Sequence, residues 1–541
     1  MAFQFNAFNT VNNKWFQTYD IGSEALVIGR LVNSRENGLF SSGGQLGIYK
    51  ELPGERNTIQ DQLYLKKTEG GVYEAYVSSI GLQGIFFSLI DNFFDNLNIV
   101  DLEKRIDLFH ALTSLLLVFA LSSIVLLLSF EIGFISALLV LGTIVYSQWL
   151  VLGAKNLYWV TGLFFIPMLI VWIAHKYEEV NGKLYLKVTL LLVFMSLFIK
   201  LSSGYEYISS ILLSTLAPIV YFSVKNKWTF RFFLKRVVYV GIVGIFAFFI
   251  TFSTHIIQGS LASNTEIINT LNAKLSSAKT RLHTKEGTFI QREWNLGATA
   301  KVSDVLNMYL DSEAIHFQSS LIKNYFTKIT YQNFIFIFLF FSISVLISKK
   351  YSTNITLNKR KLIALIVVTW FSLLAPLSWF VLAKVHSYVH LFLNNILWYL
   401  PFIIFGSSLV SFIIYLLFKD LYKFNKYIFY TLLCGLLSLV LSINVLNKME
   451  SKKLLPENIT DANWQNGIII GSNNIFVVSE ERDSLFQMKI GDSLLFNSGM
   501  RKILDIKQNG PYFSITVDGE KLNLAKDGYP NEIKILNKDE M

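Results

Sequence analysis

Among 541 residues there is a single cysteine, Cys434, and it lies inside an apolar run. No intrachain disulfide can form, and one sulfur cannot build a thiolate metal cluster. Charge is scarce too: Asp, Glu, Lys and Arg make up 16% of the chain, whereas 52% of it is hydrophobic. A soluble domain has too little interior to hide that much apolar surface, so a bilayer must act as part of the solvent. Neither a short repeat nor a low-complexity tract is present. The formal charge of +10 raises nucleic acid as a partner. The positions of the basic residues point to membrane topology instead, and no nucleic-acid partner is expected.

Apolar and aromatic residues are abundant, with 46 Phe and 25 Tyr and a mean hydropathy of +0.45. These suit helix packing and the aromatic belts at membrane–water interfaces. A transmembrane helix needs about 20 largely apolar residues. Ten stretches qualify: 108–130, 133–152, 156–174, 188–204, 205–224, 236–254, 331–348, 361–383, 395–418 and 427–446. The fourth and fifth are divided by a short turn, Ser202-Ser203-Gly204.

Orientation follows from basic residues in the short loops. One set of loops carries sixteen, among them Lys176, Lys225, Arg236, Lys361 and Lys419; the other carries only Lys155, Lys200 and Lys384. The richer set belongs in the cytoplasm. Three polar regions then fall on the extracytoplasmic side: a first loop, 1–106, a loop at 255–330 between spans of the transmembrane domain 107–448, and a tail, 449–541. The expected fold is an α-helical polytopic membrane protein with extracytoplasmic amphipathic helices and a small C-terminal β-rich domain.

Residues 1–106 would cross the membrane carrying nine Lys and Arg with no preceding anchor. Such a tail translocates poorly unaided, so a first helix ahead of Met1 is the favoured expectation. The segment 76–92 is short and holds Ser78, Ser79, Gln83 and Asp91. The alternative to a preceding helix is that 76–92 spans and leaves 1–75 in the cytoplasm, but its polar content makes it read as an amphipathic helix lying in the interface. The stretch 261–285 also reads as helical and amphipathic, with Lys274, Lys279, Arg281 and Lys285 on its polar side. After Pro456 apolar and polar residues alternate, with turn signals at Asn509-Gly510-Pro511, Asp518-Gly519 and Asp527-Gly528. IFVV, RKILDI and YFSITVDG there read as hairpin strands.

An enzyme at a bilayer surface gathers its polar groups near the headgroups. The outer ends of the spans supply Lys155, Asn156 and Trp159, then Lys200, Tyr205, Glu206 and His255, then Lys384, His386, His390 and Trp398. Each lysine sits at the depth of a lipid phosphate. The bland alternative is snorkelling lysines and belt aromatics. Glu206 resists it, because a carboxylate opening an apolar span is costly without a partner. His386 and His390 are four apart and share a helix face. No further ligands accompany them, so no metal is expected. Upstream, Asp20 and Glu24 lie in TYDIGSE, ahead of the amphipathic stretch ALVIGRLVNSRENG that contains Arg30. These acids fit either a catalytic pair or a plain helix start, with Ser23 or Asp20 as N-cap and an acid in the first turn.

Taken together, TYDIGSEALVIGRL, AKNLYWV, GYEYISS and HSYVHLFLNNILWYLPF resemble segments of bacterial GT-C glycosyltransferases. That class includes protein O-mannosyltransferases and the lipid A aminoarabinose transferase. The resemblance covers most of 15–446. It implies a bacterial inner-membrane enzyme, active on the extracytoplasmic face without a cofactor. Such an enzyme moves a sugar from a polyprenyl-phosphate donor to a glycan or lipid-linked acceptor, inverting the anomeric carbon. By the same likeness Asp20 would be the base and Glu24 its neighbour. Arg30, Lys155, Asn156, Trp159, Lys200, Tyr205, Glu206, His255, Lys384, His386, His390 and Trp398 would contact donor or acceptor. An unperturbed Asp titrates near 4 (about 3.9), so the base would already be ionised at neutral pH. The chain departs from the class in lacking a helix before the acidic loop, and the β-rich tail is not general to it.

Two other readings compete. An O-antigen-type polymerase or ligase relies on arginines in a late loop, where Arg281 and Arg292 are the nominees. A transporter would need ionisable residues deep in its spans, and few are there. The topology makes a direct prediction. With Cys434 replaced by Ser, a Ser472→Cys variant should react with a membrane-impermeant maleimide in intact cells and a Ser352→Cys variant should not. Labelling of Ser352→Cys from outside would overturn the orientation.

Overall fold

The computed structural model describes residues 1–11, 13–52, 56–97, 101–282, 297–315, 329–347, 355 and 357–424, and in the tail 474–478, 493–496, 499–509, 512–519 and 534–536. The chain divides into two compact units, Met1–Asn444 and Val445–Met541.

The first unit begins with short helices α1 (Ala2–Phe5) and α2 (Asn13–Thr18), then α3 (Ile21–Asn37), α4 (Arg56–Tyr64) and α5 (Leu82–Leu97). A two-stranded antiparallel ribbon, Gly47–Lys50 with Val72–Ala75, joins them. Helix α5 starts later than the expected 76–92 and runs further, because the chain turns at Gly81 with φ 78°. It is amphipathic: Phe86, Leu89, Phe93 and Leu97 are exposed, while Phe87, Ser88 and Asp91 are buried. Asp91 is not on the polar surface at all. It takes a two-pronged bond from Arg35 (2.6 and 2.8 Å), the Tyr64 hydroxyl (2.7 Å) and Arg105 (3.4 Å), which ties α3, α4 and α5 to the next helix.

The long helices follow: α6 (Leu102–Ile132), then shorter α7 (Phe134–Val145), α8 (Gln148–Gly153) and α9 (Ile166–Asn181), then α10 (Leu186–Ser203), α11 (Ile208–Lys225) and α12 (Phe230–Ser263). Helix α13 (Ile267–Leu282) falls within the expected 261–285. Apolar helices Tyr331–Ile347, Lys359–Leu382 and Phe402–Phe424 complete the bundle. Among the described residues, six helices are long and apolar enough to cross a membrane: α6, α10, α11, α12, Lys359–Leu382 and Phe402–Lys419. Their outward faces are apolar, as Leu115, Phe119, Leu126 and Phe130 along α6 illustrate. Surface of that kind and extent is stable against lipid rather than water. Boundaries come from local chemistry. Gly133 ends α6 with φ 86°, and the Thr229 hydroxyl caps α12 by accepting from the Phe232 amide at 3.3 Å.

Ten uninterrupted spans are not what forms. The expected 133–152 is broken at Tyr146-Ser147, where the Ser147 hydroxyl accepts from the Leu150 amide and restarts the chain as α8. The expected 156–174 opens with a turn, because Asn156 Oδ1 accepts from the Tyr158 and Trp159 amides (3.0 and 3.1 Å) and delays the helix to Ile166. The expected 395–418 opens with a 3-10 turn, Asn395–Tyr399, and becomes α-helical only after Pro401. The expected span 427–446 lies outside the described residues. In the second unit, five described strands form an antiparallel sheet: Asn474–Val478, Tyr512–Val517, Gly499–Asn509, Ser493–Phe496 and Lys534–Leu536, in that spatial order.

At the C-terminal end of α6, Glu131 is buried in a closed ring of ion pairs. It meets Lys176 and Lys225, each at 2.6 Å, and both lysines also meet Glu179, at 2.8 and 2.6 Å. The Tyr221 hydroxyl donates to Glu131 at 2.8 Å, and Lys361 caps the Glu131 carbonyl at 2.5 Å. Four helical segments are thereby fastened at one end. Glu131→Ala leaves two part-exposed ammonium groups sharing Glu179 alone, a loss smaller than that of an uncompensated buried charge but still destabilising. Thermal unfolding of detergent-solubilised protein should fall by several degrees, with Glu131→Gln milder. A melting point equal to wild type would show that the ring bears no load.

Candidate functional site

At the other end of the bundle, several segments meet at Asp20. This residue stands at the N-cap of α3, but in the left-handed region (φ 50°, ψ 38°) and without the usual side-chain capping bond. Its carboxylate is used differently. The Ser23 hydroxyl donates to Oδ1 at 2.9 Å, and the Trp159 indole N–H donates to Oδ2 at 2.5 Å. Burial pushes the carboxyl up to about 7, against the pull of the Trp159 and Ser23 hydrogen bonds and with help from the nearby Glu24 charge. This corrects the expectation of an unperturbed acid: desolvation disfavours the charged form.

Glu24, one turn along α3, reaches two other segments. His110 Nε2 of α6 lies 2.6 Å from Oε1, and the Leu157 amide donates to Oε2 at 3.2 Å. Burial raises the Glu24 pKa, but the charge and hydrogen bond of His110, the Leu157 amide and the Lys155 charge outweigh it and hold the group below its ordinary value. The loop bearing Leu157 is shaped by Asn156, whose Nδ2 donates to the Tyr19 and Asp20 carbonyls at 3.4 and 3.3 Å. Lys155 lies half-buried beside it, 3.1 Å from Gln17 Oε1 and over the Phe16 ring.

Aromatic rings extend from Asp20. Trp159 stacks on Tyr207 at 5.3 Å, Tyr207 meets Trp379, and Trp379 meets His386 edge-on. His386 and His390 have ring centroids 4.7 Å apart, and His390 leads through Phe392 back to Tyr19, the neighbour of Asp20. Tyr19, Trp159 and Tyr207 are buried. Asp20, Trp379, His386, His390 and Phe392 are part-exposed. The floor is therefore buried aromatic surface, and the part-exposed groups around it are two carboxylates, an ammonium and several ring faces. Among the described residues, no group of three or more His, Cys, Asp or Glu side chains is disposed to hold a metal ion.

Asp20, Glu24, Lys155, Asn156, Trp159, His386 and His390, distant in sequence, thus belong to one connected region. Glu206 joins its edge: the partner that its position demanded is the Tyr158 hydroxyl, 3.1 Å away. Tyr205 stacks on His255 and bonds it at 3.2 Å, a separate pairing between the turn before α11 and α12. Other expected contact residues have structural partners of their own. Arg30 is fully buried and donates to the Ser41, Gly38 and Leu39 carbonyls, so it braces a turn. Lys200 donates to the Gly204 carbonyl at 2.6 Å and closes the end of α10. Lys384 donates to the Ala298 and Ala300 carbonyls at 2.8 and 2.6 Å. Trp398 is buried and stacked on Tyr331 at 4.8 Å. Arg292 lies outside the described residues, as does the Arg281 side chain.

Sequence reasoning passes over His110, Tyr207 and Trp379. The available signal for His110 is an ionisable group in the opening turns of an apolar span. Backbone strain marks the same place: Asp20, Val160 and Tyr207 have φ of 50°, 43° and 65°. Left-handed non-glycine residues are costly, the β-branched Val160 most of all, and persist where the surroundings over-determine them. Chemically the arrangement offers a proton acceptor beside aromatic surfaces, with one part-exposed ammonium nearby. The chain matches no family of known proteins, no curated protein and no solved structure, so its function is argued from this geometry.

Proposed function

We propose that the protein is an inverting glycosyltransferase that uses a polyprenyl-phosphate-linked sugar on the extracytoplasmic side of a bacterial inner membrane. The observation that carries the reading is Asp20, a half-buried carboxyl poised at about 7, bonded by Trp159 and bordered by part-exposed aromatic rings. A general base works best when its pKa lies near the operating pH. The acceptor hydroxyl oxygen attacks the anomeric carbon, the bond from that carbon to the phosphate oxygen breaks, and polyprenyl phosphate leaves with the electron pair. The hydroxyl proton passes to Asp20. Phosphate is a good leaving group and needs no strong acid, only a cation to hold its charge. Lys155 is suited to that, since it is half-buried beside the loop that carries Trp159, whereas Lys200 is buried and Lys384 already donates to two carbonyls. Trp379, His386, His390 and Phe392 supply faces on which a sugar ring or prenyl chain can pack.

Asp20→Asn keeps the shape of the side chain and removes its basicity. Transfer should fall roughly 10²–10⁴-fold with donor binding largely intact. Because the base must be ionised, the wild-type rate should decline as pH drops through about 7 and level off above it. Lys155→Ala should instead raise the donor KM. Wild-type turnover by Asp20→Asn would remove that residue from the mechanism.

A second expectation concerns His386 and His390, which are read as packing and hydrogen-bonding groups. Transfer should survive EDTA; loss of activity with EDTA and recovery with Mg²⁺ or Mn²⁺ would assign them, or their neighbours, to an ion.

A further inference from the structure

His110 belongs to none of the motifs singled out above, yet it stands at the junction of three segments. It lies two turns into α6 and bonds Glu24 at 2.6 Å, with both side chains less than one-fifth exposed. One turn further, the Thr113 hydroxyl donates to the Lys155 carbonyl at 2.9 Å, and Ser114 donates to the Ala154 carbonyl at 3.4 Å. Helix α6 thus grips the start of the 154–159 loop directly with two side chains. It grips the middle through Glu24, whose other oxygen accepts the Leu157 amide. Two residues beyond Leu157 is Trp159, whose indole N–H rests on Asp20. The bond of His110 goes to Glu24, so its influence on Asp20 passes through that pair and the loop.

We propose that His110 is a positioning residue for Asp20, acting through Glu24 and the 154–159 loop. The pair holds the Trp159 indole on the carboxylate and balances the Glu24 charge beside it. The inference takes its purpose from the reading of Asp20 as general base, but its mechanics stand on the geometry alone. Tyr19, Tyr207 and Glu24 face Asp20, while Lys155, Asp61 and Asp107 face the Glu24–His110 pair.

Two opposite effects separate this role from mere packing. Removing His110 frees the loop, which weakens the Trp159 hydrogen bond, and leaves the Glu24 charge unbalanced. Both changes disfavour the Asp20 carboxylate. Glu24→Gln keeps an acceptor for the Leu157 amide but deletes the charge, which favours the carboxylate.

The test is a pH titration of the Asp20 carboxyl infrared band in the full-length, membrane-reconstituted protein, assigned by subtracting Asp20→Asn. The expected result is a midpoint raised by about 0.5–1 pH unit in His110→Ala and lowered in Glu24→Gln. His110→Gln, which can still donate to Glu24, should fall between wild type and His110→Ala. An unmoved midpoint in His110→Ala overturns the proposal, and so does movement of both variants in the same direction, which would signal general loosening. Should His110→Ala not fold, Glu24→Gln decides: a midpoint at or above that of wild type overturns the idea. Activity is read separately. With the transferase reading correct, His110→Ala should also lose about tenfold or more in rate through misplacement of the base. Opposite band shifts without transfer to any hydroxyl acceptor would refute the transferase and leave the positioning role in place.

Discussion

Much of this molecule hangs on the two oxygens of Glu24. One is bonded to an imidazole on α6, the other to an amide in the 154–159 loop. Through them the first turn of α3 is tied to a long apolar helix and to a segment that refuses to become one. A carboxylate in this setting is costly to bury, and the hydrogen bonds and nearby positive charge are what make it tolerable. Asp20, one turn away and with no cationic partner of equal closeness among the described residues, answers the same burial by holding its proton more tightly. Two acids four residues apart therefore acquire different chemical characters from their surroundings.

The architecture was legible wherever hydropathy alone decides it. Helices α6, α10, α11 and α12 fall within or across the stretches expected from their apolar runs. Misreadings arose where a short polar contact competes with helix formation, as at Ser147 and Asn156, whose side chains take up backbone amides and break a run that remains apolar. Hydropathy has no view of such bonds. Asn156 is instructive, because the bond that spoils the expected span is the one that shapes the loop beneath the site.

The site itself was only partly legible. Outer-end residues in separate motifs were recognisable as candidates, and several converge at Asp20. Their partners were not, since a His at position 110 or a Trp at 379 looks like any interfacial residue until tertiary contacts reveal what it touches. The lysines carry a second use that hydropathy does not show. Lys200 and Lys384 have the right depth for a phosphate, but helix ends and turns leave carbonyls without partners, and these two ammonium groups meet that need.

Helix α12 carries a last consequence. Its 34 residues span about 51 Å at 1.5 Å per residue, against a hydrocarbon layer of about 30 Å. Its basic start, with Arg231, Lys235 and Arg236, belongs at a headgroup zone, so the far end must stand clear of the oil. Near that end Gln258 donates to the Gly43 and Ile80 carbonyls at 2.8 and 2.9 Å. The helix therefore works as a mast of fixed height that carries the N-terminal layer at a set elevation.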